Sequence, residues 1–302
     1  MTSLLQAVRR HAAAQATADG LATTCIPGLR MMCVHAPSGP MHSIYRPLVC
    51  LVLQGAKRMT VHGETREVHA GDSVLVSADV PVTGRIVQAT PAAPYCAVAQ
   101  ELDLALLAQL CVELPLPPLE PRRAGALSVE DSEAAVLDCV TRLMGLLERP
   151  EAVPLLQPGI AQELHYWLLA GLHGPALRRL AAPDGYASRL GEAMRILRTE
   201  YRTTLPVERL AAAARMSVSA FHRHFRALTS LAPLQFQKQL RLVEARRLMR
   251  DLGLPASAAA FEVGYQSVPQ FTREYARMFG APPMRDTRGL RRRLAEAAAA
   301  QA

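Results

Sequence analysis

The segment Leu210–Arg226 reads LAAAARMSVSAFHRHFR, and the same pattern recurs over Ala258–Gly280 as AAAFEVGYQSVPQFTREYARMFG. Each copy gives a short Ala-rich helix, a tight turn carrying a Ser, and a second helix with aromatic residues four apart. Residues four apart stack on one helix face. The stripes Phe221, Phe225 with Leu228, and Phe271, Tyr275, Phe279, are therefore expected to face a core. At about 100° per residue, the opposite side of the first helix carries Ser219, Arg223 and Arg226, with His222 at its edge. In the second helix the corresponding side carries Pro269, Arg273 and Ala276, with Thr272 at the edge. Ser217 is a good N-cap, and Ser267 stands in the same place in the second copy. Gly264 supplies the second turn, where the absence of a Cβ permits positive φ and close approach to the preceding helix.

A helix that offers donors from its N-terminal turns suits the major groove of DNA, and two such helices in one chain suit successive turns of it. Arg223 carries the strongest expectation, because a guanidinium bonds bidentately to O6 and N7 of guanine. The alternative role for Arg223 is a phosphate clamp, which adds affinity without choice of sequence. The candidate contacts are Ser217, Ser219, His222, Arg223 and Arg226 in the first unit, and Ser267, Pro269, Thr272 and Arg273 in the second. Pro269 fits the first turn of a helix but brings no donor, so the second unit is expected to discriminate less. The intervening run Pro233–Arg250 predicts a long helix. At 1.5 Å per residue it separates the two units by roughly 25 Å, which tilting can match to the 34 Å turn of DNA.

Charge agrees with this placement. The 302-residue chain has net charge +8, and from Tyr186 onward 20 Lys and Arg stand against 9 Asp and Glu, whereas 14 stand against 17 before it. Basicity confined to one region is the footprint of a polyanionic partner. A length of 302 favours two domains, and the Pro, Asp and Gly of Ala181–Gly185 mark the boundary, giving domains 1–185 and 186–302. Half of the residues are hydrophobic, which excludes a disordered chain. No run suits a membrane span and no signal peptide opens the chain, so a cytoplasmic location without membrane contact is expected.

Residues 21–101 read as short strands with even turn spacing. Leu48–Gly55, Lys57–Gly63, Glu64–Gly71, Ser73–Ala78, Gly84–Ala89 and Tyr95–Glu101 suggest a small β-barrel or sandwich. Helices are expected over Leu102–Leu114, which the Pro-rich stretch 115–121 ends, and from a Ser128–Asp131 capping signal to Glu148. In the latter, Leu137, Val140, Met144 and Leu147 form a narrow apolar seam, either a core face or a dimer contact. A third helix, Gly159–His173, is apolar nearly all round and should bury Trp167. The tail Arg291–Ala302 reads as a frayed helix end. Six cysteines lack metal-ligand spacing. Most read as buried reduced thiols, with Cys25 and Cys33 as candidate sensing thiols.

Three segments, Ser217–Arg226, Pro233–Leu248 and Val263–Pro282, resemble the signature of the AraC/XylS family of bacterial transcription regulators. Pro47–Thr65, Ala78–Gly84 and Pro94–Tyr95 are similar to the cupin-type N-terminal domain of one subgroup of that family. The resemblance implies an α+β two-domain chain: a small cupin-like β-barrel with flanking helices, then an all-α domain with two helix-turn-helix units joined by a long helix. It further implies a sensor of a small molecule or chemical stress that often dimerises, and a DNA-binding domain that acts on a promoter with RNA polymerase. No cofactor or enzymatic activity is expected. Two rivals remain at this point. One is an electrophile or redox sensor working through Cys25 or Cys33, which a likeness to aldehyde-responsive regulators supports by analogy. The other is a metal-dependent cupin enzyme, disfavoured because His62 and His69 do not form an H-x-H pair and Val82 stands where a ligand His is usual.

Overall fold

The computed structural model describes residues 2–15, 17, 20–114, 126–181, 186–287 and 289. They belong to two compact units, 1–188 and 189–302. The Pro-rich stretch 115–121, most of the expected boundary at 182–185, and the Arg291–Ala302 tail lie outside the described residues.

The first unit opens with a helix that periodicity in the sequence did not suggest, α1 (Thr2–Gln15), which buries Leu4, Val8 and Ala12. Among the described residues ten strands follow: β1 (Leu21–Thr23), β2 (Leu29–Val34), β3 (Met41–Tyr45), β4 (Leu48–Gln54), β5 (Ala56–Val61), β6 (Glu64–His69), β7 (Asp72–Val76), β8 (Val80–Gln88), β9 (Tyr95–Glu101) and, later, β10 (Leu127–Asp131). They form an antiparallel six-stranded sheet ordered β1-β2-β9-β4-β7-β10 and a four-stranded sheet ordered β3-β8-β5-β6. The expected barrel thus takes the form of two facing sheets.

The larger sheet is buried on both faces, which explains the unbroken apolar run of β4. Successive side chains along a strand point to opposite faces. Leu48, Cys50 and Val52 line the space between the sheets, while Val49, Leu51 and Leu53 join the core shared with the helices. Those helices are α1, which packs directly on β2, β4 and β9, together with α2 (Leu104–Glu113), α3 (Ala134–Leu146), α4 (Val153–Ala170) and α5 (Gly174–Ala181). Asp103 caps α2 by accepting from the amides of Ala105 and Leu106. Its own amide donates to Nε2 of buried His165 at 2.9 Å, whose Nδ1 meets the Ala161 carbonyl at 2.6 Å. Burial holds the His165 imidazole below its ordinary range, keeping the neutral form this arrangement requires.

Two expectations need correction here, and one open alternative is resolved. Ser128–Asp131 does not cap a helix, because Leu127–Asp131 pairs with β7 as an edge strand. Sheet pairing overrides the local capping pattern, and α3 starts only at Ala134. The Val140 and Met144 seam lies inside the unit's own core, with Leu137 and Leu147 packed against it. Trp167 is not core: it is 38% exposed, and its Nε1–H donates to Glu163 at 3.3 Å. The buried face of α4 is instead Leu164, His165, Leu168 and Leu169. An all-round apolar helix left Trp167 and its neighbour Tyr166 outside because only one face packs against α2, α3 and α5. Among the described residues, no helix is long and apolar enough to cross a membrane.

The second unit is all-helical: α6 (Tyr186–Thr199) leads into α7 (Val207–Ala213), α8 (Val218–Thr229), α9 (Pro233–Asp251), α10 (Ala256–Glu262) and α11 (Val268–Phe279). The expected long helix is α9.

Candidate nucleic-acid interface

The pairs α7–α8 and α10–α11 are built to one plan. In both, a seven-residue helix precedes a twelve-residue helix. The intervening turn needs a left-handed residue, which is Arg215 (φ 53°) in the first and Gly264 (φ 90°) in the second. Ser217 Oγ accepts from the amide of Ala220 at 3.3 Å, and Ser267 Oγ accepts from that of Gln270 at 3.4 Å. These serines satisfy otherwise orphaned helix donors, and each keeps a hydroxyl proton to donate. Both long helices end on a left-handed residue, Ser230 and Gly280.

The aromatic stripes are buried as phasing requires. Phe221 and Phe225 are fully buried and stack at 5.4 Å; Phe225 meets Phe236 of α9 edge-on at 5.6 Å. Thr229, rather than half-buried Leu228, completes this face, its hydroxyl donating to the Phe225 carbonyl at 2.9 Å. Phe271 and Tyr275 are fully buried, and Phe279 is partly so.

The long helix α9 joins the two units through named contacts. Gln237 and Arg241 donate to backbone carbonyls of Tyr201 and Thr203, and Arg241 also donates to the Gly264 carbonyl at 3.0 Å. Lys238 pairs with Glu274 of α11 at 2.9 Å. Arg246 forms a two-pronged pair with Asp286, which also accepts from the Tyr275 hydroxyl at 2.8 Å.

The opposite faces are open. Ser219, His222, Arg223 and Arg226 are exposed on α8, as are Pro269 and Arg273 on α11, with Thr272 half-buried. Ala276, expected to face outward, is half-buried; Gln270 and Arg277 are exposed instead. Six arginines of the surrounding scaffold, Arg195, Arg202, Arg209, Arg246, Arg247 and Arg250, each hold a carboxylate. Among the described residues, Arg223, Arg226, Arg273 and Arg277 form no ion pair. The outer faces of two matching helices therefore each carry two arginines with no carboxylate partner. His222, Arg223 and Arg226 border an open concavity beside Ala232. Arg223 Nη2 lies 3.4 Å from Nε2 of His224, and burial together with that guanidinium holds the His224 imidazole below its ordinary range.

Comparison with known proteins bears on both units. Residues 25–176 match the family described as AraC-type transcriptional regulator N-terminus, and residues 210–289 match a helix-turn-helix domain family. The chain belongs to the AraC family of transcriptional regulators. It is similar to the HTH-type transcriptional activator RhaS of Salmonella schwarzengrund (strain CVM19633), with 28% identity over 158 residues, 51% of this chain and 55% of that protein. It is also similar to the HTH-type transcriptional regulator GbdR of Pseudomonas aeruginosa (strain UCBPP-PA14), with 25% identity over 101 residues, 33% of this chain and 28% of that protein. The chain thus matches about half the length of RhaS and less of GbdR. In fold it resembles ToxT of Vibrio cholerae O395, with TM-score 0.60 and 9% identity over 90% of this chain and 98% of that one. ToxT of strain SCE256 gives 0.54 and 7% over 85% and 92%. AraC-family proteins are transcription regulators and not enzymes, so the metal-dependent enzyme rival is set aside. His62 sits at the left-handed turn between β5 and β6, and His69 at the end of β6.

The two candidate sensing thiols are placed differently. Cys25 is exposed, whereas Cys33 is buried, its Sγ 3.3 Å from that of Cys96 directly across β2 and β9. The hydrogen bond from Cys96 draws the Cys33 thiol below its ordinary range and outweighs burial. Nothing in sequence spacing pairs residues 33 and 96. Arg277 and Gln270 were findable, since both lie on the same outer stripe as Arg273.

Proposed function

We propose that this chain is a sequence-specific DNA-binding regulator, an activator by likeness to RhaS, that binds a promoter through α8 and α11 and answers to a small molecule held by its first unit. The observation that carries the reading is the set of unpaired guanidinium groups at Arg223, Arg226, Arg273 and Arg277 on two helices built to one plan. Outward-facing arginines are what phosphates and guanine edges require; Arg223 and Arg273 stand in the N-terminal halves of their helices, and Arg226 and Arg277 in the last turns. Ser217, Ser219 and His222 supply further donors on α8; Ser267 and Thr272 do so on α11, where Pro269 supplies shape alone. Base choice accordingly rests mainly on α8. RNA polymerase and a second copy of the chain are the proposed macromolecular partners. For the first unit, support comes from ToxT, whose solved structures include one with an unsaturated fatty acid bound.

The test is selection of bound sites from random duplexes by the purified full chain, followed by footprinting. Two adjacent contacted groove segments on one face of the duplex, with affinity falling steeply as salt rises, are expected. A flat salt response, or protection of a single short segment, overturns the two-helix reading.

A further inference from the structure

Between the two sheets of the first unit lies a cavity of ≈ 10 Å³, walled by apolar side chains such as Leu48, Val52, Met59 and Val74. That is room for about one water molecule. One charged group projects into it. Lys57 is 5% exposed, and its Nζ donates to the Tyr45 hydroxyl at 2.9 Å. No carboxylate stands among the residues lining the cavity. The sequence makes space for this side chain: Gly84 lies on β8 opposite β5, and a Cβ there would stand 2.7 Å from Lys57 Cε. Lys57 shares the inward face of β5 with Met59 and Val61, where a third aliphatic residue would fill the core at no electrostatic cost.

An ammonium ion in an apolar enclosure without a counter-ion is destabilising, because the lost hydration is not repaid by a partner charge. Burial works against the charge here, yet the hydrogen bond to Tyr45, and the negative charge that Tyr45 and Cys50 carry once they ionise, outweigh it, so the Lys57 amine holds its proton above its ordinary range. Having accepted from Lys57, the Tyr45 hydroxyl retains its own proton to donate. The pair therefore offers a full positive charge and a neutral donor, side by side, against hydrocarbon walls.

We infer that Lys57 and Tyr45 form the anchor of an effector site for a short, apolar monocarboxylate, with one carboxylate oxygen on the Lys57 ammonium and one on the Tyr45 hydroxyl. This rests on reading the first unit as the effector-sensing part of a regulator. The cavity as it stands is too small for any organic acid, so entry of even a few carbon atoms requires the sheets to part, which gives binding a mechanical consequence and favours a short chain. The expected ligand is shorter than a long-chain fatty acid for the same reason.

Calorimetric titration of the full chain with butyrate, butanamide and 1-butanol tests the site. Saturable binding of butyrate is expected, with the two uncharged analogues weaker by about 30-fold or more, the measure of a buried charge-assisted bond. Lys57→Met keeps side-chain volume and should abolish butyrate binding, and Tyr45→Phe should weaken it about 5-fold. Equal affinity for butanamide, undiminished binding in either variant, or no binding of the acid overturns the proposal. So does reductive trapping of butanal on Lys57 with no binding of butyrate, since that requires a neutral amine. Should Lys57→Met fail to fold, Tyr45→Phe and the uncharged analogues decide alone. Promoter affinity measured with and without butyrate separates the two readings. Lys57-dependent binding that leaves promoter affinity and transcription unchanged keeps the site and refutes its role as sensor.

Discussion

The two helix-turn-helix units share a backbone plan and differ in what holds it together. In the first, Phe225 packs edge-on against Phe236 at 5.6 Å, so hydrocarbon secures α8 to α9. At the corresponding places in the second unit stand Tyr275 and Asp286, joined by a 2.8 Å hydrogen bond and locked by Arg246. A phenol and a carboxylate there substitute a directional clamp for ring packing. The difference teaches that one motif can be stabilised by non-directional burial or by a buried ionic network, and that the two fail differently. Losing a methylene from a packed ring costs in proportion to the cavity left. Losing one partner of a buried pair strands the other as an uncompensated charge.

The sharpest way to break the comparison is therefore Asp286→Ala. The Arg246 and Asp286 side chains are only 14% and 9% exposed, so removing the carboxylate should cost about 3–5 kcal/mol. Denaturant unfolding of the full chain measures the loss, and amide exchange should place it in α11 and α9 with α8 protected. Phe236→Ala should cost about as much, roughly 3–5 kcal/mol, with the loss of protection centred on α8. Equal loosening of both helices by either substitution shows that the units are one cooperative body and that the contrast carries no energetic meaning.

Next in size is the turn. Gly264 adopts φ 90°, and a Cβ there would overlap the Arg202 carbonyl oxygen, so the backbones of two segments touch at this glycine. Gly264→Ala should cost about 2–4 kcal/mol from strain and overlap together. Its counterpart Arg215 already adopts φ 53° with a side chain. Arg215→Gly should be neutral or stabilising by up to about 1 kcal/mol, because left-handed geometry is unfavourable for an L-residue. Thermal melting of the two variants checks both signs.

The sequence carried much of this plan and not all of it. Four-residue aromatic spacing placed Phe221, Phe225, Phe271 and Tyr275 because a regular helix converts spacing directly into direction. It could not show that residue 286 returns to Tyr275, since that contact crosses the end of α11 and depends on tertiary path. Alternation exposed the strands of the first unit, but Ser128–Asp131 read as a helix cap because its true partner, β7, is remote in sequence. Lys57 lay in plain view on an inward position of β5. Only the structure shows that no carboxylate lines its cavity, which turns a lone inward charge into a candidate anchor.

The comparison extends to DNA. Arg223 and Arg273 are counterparts on the exposed faces, yet α8 adds Ser219, His222 and Arg226, where α11 has Pro269, Thr272 and Ala276. Arg223→Ala should cost about 1–3 kcal/mol on the selected site and relax preference at one base pair. Arg273→Ala should cost about 1 kcal/mol or less and weaken random DNA nearly as much. Competition binding against random duplex distinguishes the two, and a uniform loss from Arg223→Ala would falsify its assignment to base readout.

The smallest expected effects concern pH, and they separate the units by window. His224 and Glu274 occupy matching places on α8 and α11. Burial and the adjacent Arg223 hold the His224 imidazole low. A histidine with a depressed folded-state pKa takes up its proton first in the unfolded chain, so stability falls as pH drops through the ordinary value of about 6.5. Burial pushes the Glu274 carboxyl up, but hydrogen bonds from Lys238, Tyr265 and Gln270 prevail and hold it below its ordinary range. Its contribution is complete above about pH 4.3 and is lost as pH falls through the lower folded-state value. On acidification α8 should therefore loosen before α11. His224→Gln should remove the loss near neutral pH and leave the acid limb; Glu274→Gln should lower stability at neutral pH by about 1 kcal/mol and flatten that limb. Amide exchange from pH 7 to pH 4, corrected for intrinsic rates, reads both helices in one experiment. Loss of protection in α11 ahead of α8 reverses the assignment of which unit is held by charge.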